Sequence, residues 1–293
     1  MTERRPDVIV IGSVNVDLQL LLPRLPGPGT TVTGGRLLRC LGGKGANQAA
    51  AAARLGARTA LIGRVGDDAE GAFAREALAA AGVEVGQLQT VAGPTGVATV
   101  LSDPAGENLI GVASGANASL SGDAVLTALE SLGRQAAVLV ANLEVPVAAV
   151  ASAAGWAHRH GCTFVLNPAP AQRLPLELLD QVSVLTPNEH EAVELDFAGT
   201  QLITRGAAGV ELVRPGLPAL RVPAFAMPVV DTTGAGDACT AALAWALAAG
   251  VGLESAAVLA AAAGSLAVRG AGAQGSLPTA AEVHRSVERG ERL

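Results

Sequence analysis

Asp231 and Asp237 bracket the segment Asp-Thr-Thr-Gly-Ala-Gly-Asp, and residues of these types at this spacing can handle a transferring phosphoryl group. Glycines at a turn that opens a helix let the backbone N–H groups of Gly234, Ala235 and Gly236 converge on one point. The positive end of the helix dipole adds to them, which makes an anion hole. Asp237 falls in the first helical turn beside that hole. Its carboxylate is either the general base for an attacking hydroxyl or a cap of the helix.

Three further segments place polar side chains at informative spacing. In Gly42-Gly43-Lys44-Gly45-Ala46-Asn47 a second glycine turn opens a helix, and Gly42-Gly43 permits close backbone approach to a ligand. Lys44 and Asn47 supply donors on one side of that turn; a tight turn with a surface lysine is the alternative. Asn15 and Asp17 are two apart and face the same way in an extended chain. An amide beside a carboxylate suits vicinal hydroxyls, although a polar strand end in water has the same pattern. Glu144, just after the apolar run Ala137–Ala141, carries the same pair of readings. Asn188 and Glu191 are three apart at a strand-to-helix junction, where they either share a face near a metal-bound phosphate or form a capping box. His190 between them is read as a surface residue, because no metal-ligand spacing surrounds it.

The elements that must position these residues alternate between strand and helix. Asp7–Ile11, Arg58–Ile62, Ala137–Ala141, Thr163–Leu166 and Val182–Leu185 read as strands; Asn47–Leu55, Ala69–Ala81 and Val147–His160 read as helices. Ala226–Val230 reads as the strand before the anion turn, and Ala238–Ala249 as the helix after it. Such alternation builds a mostly parallel sheet with helices on both faces, a three-layer αβα sandwich formed by one domain over residues 1–293. Leu18–Leu22 with Thr31–Leu38, and Gly96–Leu101 with Asn108–Val112, read as paired strands without helices between them. They predict a small projecting β-sheet, a lid built from about residues 15–40 and 94–114.

Composition removes several function classes. The net charge of −6 and an aromatic content of 2% argue against a nucleic-acid partner, which needs a basic face and stacking platforms. The short basic runs Arg4-Arg5 and Arg285–Arg292 are read as solvated ends. No GxxxxGK[ST] loop occurs, and no GxGxxG follows the first strand, which disfavours Walker-type nucleotide binding and nicotinamide-cofactor chemistry. Cys40, Cys162 and Cys239 are dispersed, as expected of reduced thiols. The alanine-rich region 241–268 is interrupted by Glu254 and by Gly250-Val251-Gly252, so it is expected to form two buried helices rather than a membrane span. A soluble, cytoplasmic protein is expected.

Gly12–Asp17 (GSVNVD), Gly42–Ala49 (GGKGANQA), Asn167–Ala171 (NPAPA), Thr186–Ala192 (TPNEHEA), Asp231–Asp237 (DTTGAGD) and Gly272–Ser276 (GAQGS) occur in this order along nearly the whole chain. Together they resemble the ribokinase family of carbohydrate kinases. The resemblance implies ATP-dependent phosphorylation of D-ribose at the 5-hydroxyl, with a related ketose or nucleoside kinase, or a sugar-binding regulatory protein, as alternatives. It implies that Asn15, Asp17, Gly43, Lys44, Asn47 and Glu144 bind the sugar and that Asp237 is the base. Gly234, Ala235 and Gly236 would hold the developing charge. Asn188 and Glu191 would lie near the ATP phosphates and Mg2+, and Thr204, Gly206 and Gly209 would line the nucleotide. A monovalent cation, usually K+, would be held by the side chains of Asp231 and Ser276 and the carbonyls of Thr233, Ala267, Gly270 and Gly272. The resemblance also implies a homodimer through the β-lid.

The chain departs from the family at two places. Only residues 192–203 separate Glu191 from Thr204, where the family has a further helix. Either one crossover element is lost, or a mobile stretch is missing from the sequence. Ala260–Ala263 occupies a position where the family often offers adenine a polar side chain, so base recognition is expected to be loose or left to the backbone.

Overall fold

Apolar residues that alternate between two faces need a layer of helices on each side, and that requirement organises this molecule. The computed structural model describes residues 7–105, 107–133 and 136–290. The first half runs β1 (Val8–Ile11), β2 (Asn15–Leu21), β3 (Arg36–Gly42), α1 (Lys44–Arg54), β4 (Thr59–Gly66), α2 (Ala69–Ala80), β5 (Leu88–Val91), β6 (Gly96–Ser102) and β7 (Asn108–Ala113). Then come α3 (Gly122–Leu132), β8 (Val138–Asn142), α4 (Val147–His160), β9 (Thr163–Asn167), α5 (Leu176–Leu179), β10 (Val184–Leu185), α6 (Glu189–Leu195) and β11 (Gln201–Thr204). The chain ends with β12 (Val210–Val213), β13 (Leu220–Val222), α7 (Ala235–Ala248), α8 (Leu253–Ala267) and α9 (Ala280–Arg289).

The main sheet has the order β13-β12-β11-β10-β9-β8-β1-β4-β5. It is parallel from β11 to β5, and β12 and β13 extend it antiparallel. Val8, Val10, Val138, Val140 and Val165 point into one core with α1, α7 and α8. Ile9, Ile11, Leu139, Phe164 and Leu166 point into the other with α3 and α4. With almost no aromatic residues, the first core is closed by alanines. Ala46, Ala49, Ala242, Ala260, Ala262 and Ala263 are all fully buried, and small side chains let these helices approach closely. Ala260–Ala263 therefore belongs to this core. No helix among the described residues is long and apolar enough to cross a membrane.

The expected small sheet is present, in the order β3-β2-β6-β7, with β2 and β6 parallel at its centre. Its second strand starts at Arg36 rather than Thr31, after the break at Gly34-Gly35. Residues 226–230 do not form the expected strand. Pro223 and Pro228 lack donors for a ladder, and the Val230 and Asp231 N–H groups donate instead to the Val268 carbonyl, at 2.8 and 3.2 Å. The following helix starts at Ala235, three residues earlier than expected. The short stretch after Glu191 does not break the sheet. Residues 189–195 form α6, Asp196 turns the chain with a φ of 43°, and β11 returns parallel to β10. The crossover is thus retained with a helix of 7 residues. Of the basic terminal runs, Arg285 and Arg289 are exposed on α9, whereas Arg4-Arg5 and Arg292 lie outside the described residues.

Candidate active site

The C-terminal ends of the parallel strands and the N-termini of α1 and α7 meet at one place, where open α/β sheets leave a crevice. β1 delivers Gly12 and Ser13, β8 delivers Glu144, β9 delivers Asn167, and the two glycine turns deliver Lys44 and Asp237.

Asp237 is the third residue of α7, and Gly234, with a φ of 79°, is the N-cap. The Asp237 carboxylate does not cap the helix. Its Oδ2 accepts from Asn47 Nδ2 and its Oδ1 from Gln48 Nε2, each at 3.0 Å. Gln48 Nε2 also donates to Asn167 Oδ1, whose amide donates to the Thr186 carbonyl. Burial pushes the Asp237 carboxyl above its ordinary range, while Lys44 and the two amides pull it back. In the turn itself, Ala235 N–H is taken by the Thr232 carbonyl at 3.2 Å. The N–H groups of Gly234 and Gly236 have no protein acceptor among the described residues, so two of the three expected donors are open.

Lys44 links the two sides of the crevice. Burial acts to lower its pKa, but Asp237, Glu144 and Glu191 outweigh this and hold the ammonium above its usual range. Glu144 Oε2 accepts from Ser13 Oγ at 2.5 Å and from the Lys44 backbone at 3.0 Å. Asn15 is buried at the start of β2, between Gly42 of β3 and Gly96 of β6. Asp17 lies across the Gly42 Cα so closely that a Cβ there would overlap its carboxylate. Burial first, then the charges of Glu144 and Asp237, raise the Asp17 carboxyl to about 6. Gly43 packs its Cα against the Asn15 backbone.

Asn188 and Glu191 form a closed capping box, with Asn188 N donating to Glu191 Oε2 at 2.8 Å and Glu191 N to Asn188 Oδ1 at 2.9 Å. Burial still raises the Glu191 carboxyl, and Lys44 and Asp237 both act on it. Thr204 sits beside Asn188, bridging to it across the sheet, and its N–H donates to the Pro187 carbonyl. Gly206 and Gly209 shape the exposed turn that follows Thr204, which Arg205 anchors through Glu211.

Asp231 Oδ1 accepts from the Thr233 N–H and hydroxyl, and its Oδ2 accepts from Gly272 N at 2.8 Å. Although burial opposes it, these bonds hold the Asp231 carboxyl below its ordinary range. The loop 270–276 is thereby tied to the anion turn, where Gly234 packs against Ala273. Gly270 packs against Gly275 and Ser276 within the same loop. Ala267 ends α8 just before it.

Ser13, Gln48, Gln274 and Asn117 were not among the residues expected to act, yet they hold those that were. Gln274 Nε2 donates to Asn47 Oδ1 at 3.0 Å, and Asn117 Nδ2 donates to Asn15 Oδ1 at 2.7 Å. For Gln48 a signal was available: it lies four residues after Lys44, on the face that Lys44 and Asn47 share.

Known proteins resemble this chain in sequence and in fold. The ribokinase of Bacillus subtilis (strain 168) is 38% identical over 288 residues, covering 94% of this chain and 98% of that protein. A structure of Arabidopsis thaliana ribokinase complexed with ribose and ATP matches with a TM-score of 0.86 at 30% identity, covering 97% of this chain and 99% of that one. A Thermotoga maritima ribokinase structure matches with a TM-score of 0.87 at 30% identity, covering 97% and 99%. The pfkB family carbohydrate kinase model matches residues 5–280. This chain belongs to the pfkB family of carbohydrate kinases.

Proposed function

We propose that this chain uses ATP to phosphorylate D-ribose at the 5-hydroxyl, giving ribose 5-phosphate. One observation carries the reading: a buried carboxylate, Asp237, is fixed by two amides directly after a helix-opening turn with two open N–H groups. Phosphoryl transfer asks mainly for positioning and charge stabilisation, and that arrangement offers both.

In this reading Asn15, Asp17, Gly43, Lys44, Asn47 and Glu144 grip the sugar. Asp237 takes the proton of the attacking hydroxyl, and Gly234, Ala235 and Gly236 face the developing charge, with Gly234 and Gly236 holding the open donors. Asn188, Glu191, Thr204, Gly206 and Gly209 line the nucleotide side. Their capping box leaves Glu191 Oε1 for a Mg2+–phosphate, which fits an ion carried by the nucleotide better than a resident metal. Mg2+ would supply charge neutralisation on the phosphates. The ionised Asp231 fits a monovalent cation such as K+, with Ser276 and the carbonyls of Thr233, Ala267, Gly270 and Gly272 completing the oxygen set. The small sheet is a lid over the sugar. Exposed Leu37, Leu109, Ile110 and Val112 on β3 and β7 support its use as a homodimer interface in a cytoplasmic enzyme.

A coupled assay over pentoses, hexoses and nucleosides, with and without K+, tests the assignment. Ribose is expected to be the best acceptor, with turnover raised by K+; brisk turnover of fructose or a nucleoside with none of ribose overturns it. Asp237→Asn is expected to lower kcat by at least about 100-fold while ribose still binds.

A further inference from the structure

We propose that Asn117 is a positioning residue for sugar recognition, acting through Asn15; the inference rests on the reading of Asn15 and Asp17 as the sugar grip. Asn117 lies in the 3-10 turn Gly115–Ser119 that follows β7, and it is 1% exposed. None of the six family-like segments contains it.

Its orientation follows from the backbone it meets. Asn117 Oδ1 accepts from Val14 N at 2.8 Å, and Asn117 Nδ2 donates to the Val14 carbonyl at 3.1 Å. A backbone N–H can only donate and a carbonyl can only accept, so the Asn117 amide has one possible orientation. Its remaining N–H points at Asn15 at 2.7 Å, and only an oxygen can receive it. Asn15 must therefore spend Oδ1 on Asn117. Its own Nδ2 takes no protein acceptor among the described residues and is the group left for a ligand.

Asn15 thus keeps both Nδ2 donors for the sugar, two residues from the Asp17 carboxylate, which in its ionised form only accepts. A donor and an acceptor in fixed order read a pair of neighbouring hydroxyls in one direction. With an Asn15 amide free to turn over, that direction would be lost. The close packing leaves little freedom for the pair: a Cβ on Gly96 would overlap both Asn15 Oδ1 and Asn117 Nδ2. The Asn117 turn is itself seated by the Ala116 N–H, which donates to the Pro94 carbonyl at 2.9 Å. The sugar grip on β2 is thereby tied to both ends of the β6–β7 hairpin.

Asn117→Asp is the discriminating variant. It keeps an acceptor for Val14 N but loses the donors toward the Val14 carbonyl and toward Asn15, so Asn15 turns its Nδ2 inward and shows the sugar an oxygen. The KM and calorimetric Kd for ribose are expected to rise about tenfold, with kcat at saturating ribose and the KM for ATP within about twofold of wild type. In an Asn15→Ala background the same substitution is expected to leave the ribose KM unchanged, because no amide remains to be oriented. An equal loss in both backgrounds, or no loss in either, overturns the proposal. Asn117→Ser, which also removes the bond to Asn15, replaces the aspartate variant if thermal melting shows that one unfolded. Wild type that neither binds nor phosphorylates ribose would instead refute the ribose assignment. A ribose-active wild type whose ribose KM does not respond to Asn117→Asp refutes the role of Asn117 alone.

Discussion

Gln48 Nε2 donates to Asp237 Oδ1 at 3.0 Å, from a side chain that is itself fully buried. The residue before it, Asn47, takes the other carboxylate oxygen, so consecutive residues of α1 hold both oxygens of an aspartate at the start of α7. Burial raises that carboxyl above its ordinary range, and the neighbouring Lys44 with the two amides acts the other way. A general base works best with a pKa closer to the operating pH than that of a free carboxyl, and the upward direction at Asp237 suits that role.

Gln48→Leu removes one amide while keeping most of the volume. The Asp237 pKa should rise further, because a bond that favoured the ionised form is gone. A base must be deprotonated to act, so the acid limb of the kcat/KM profile should move to higher pH and kcat at neutral pH should fall about tenfold. A pH–rate series on ribose checks this; an unmoved acid limb contradicts it.

Asp17, raised to about 6 by burial and by the neighbouring Glu144 and Asp237, should make sugar binding sensitive to pH. Hydroxyls donate best to the ionised carboxylate, so the ribose KM should climb as pH falls through about 6, and binding near that pH should release a proton. Asp17→Asn should raise the KM and flatten its dependence. Calorimetry in two buffers of different ionisation enthalpy measures the proton count.

Glu282 anchors α9 by accepting from the Thr279 N–H and hydroxyl and from Arg269. These bonds, with the Thr279 contacts first, depress its carboxyl from 4.5 to about 2. The folded pKa lies below the unfolded one, so the stabilisation is complete above about 4.5 and fades as pH falls toward about 2. Glu282→Ala should cost about 1 kcal/mol at pH near 7, and the gap to wild type should narrow in acid. Urea melts at neutral and acid pH measure it; an equal gap at both speaks against the linkage.

The alternation of β1, β4, β8 and β9 with their helices was legible because Val and Ile runs of strand length and alanine-rich runs closed by glycine are local signals. The segment 226–230 misled because its β-branched pair Val229-Val230 has strand character, while the prolines around it and the Val268 carbonyl decide its course. The short connection after Glu191 looked like a gap in the sheet. Seven helical residues and one left-handed residue, Asp196, proved enough to close a parallel crossover.

By itself the sequence determined which residue types stand at the glycine turns and strand ends and which short-range bonds they make. The capping box of Asn188 with Glu191 spans three positions, and local geometry alone can form it. Asp237 was different. Its type and its place in a glycine turn were visible, but capping and general-base readings were both compatible with them. Only the tertiary structure removed the capping reading, by bringing Asn47 and Gln48 onto the carboxylate from 190 and 189 positions away. The same holds for Asn117 and Asn15, 102 positions apart. Hydrogen bonds of that range depend on the order in which strands join the sheet, and no neighbouring residue in the chain records that order.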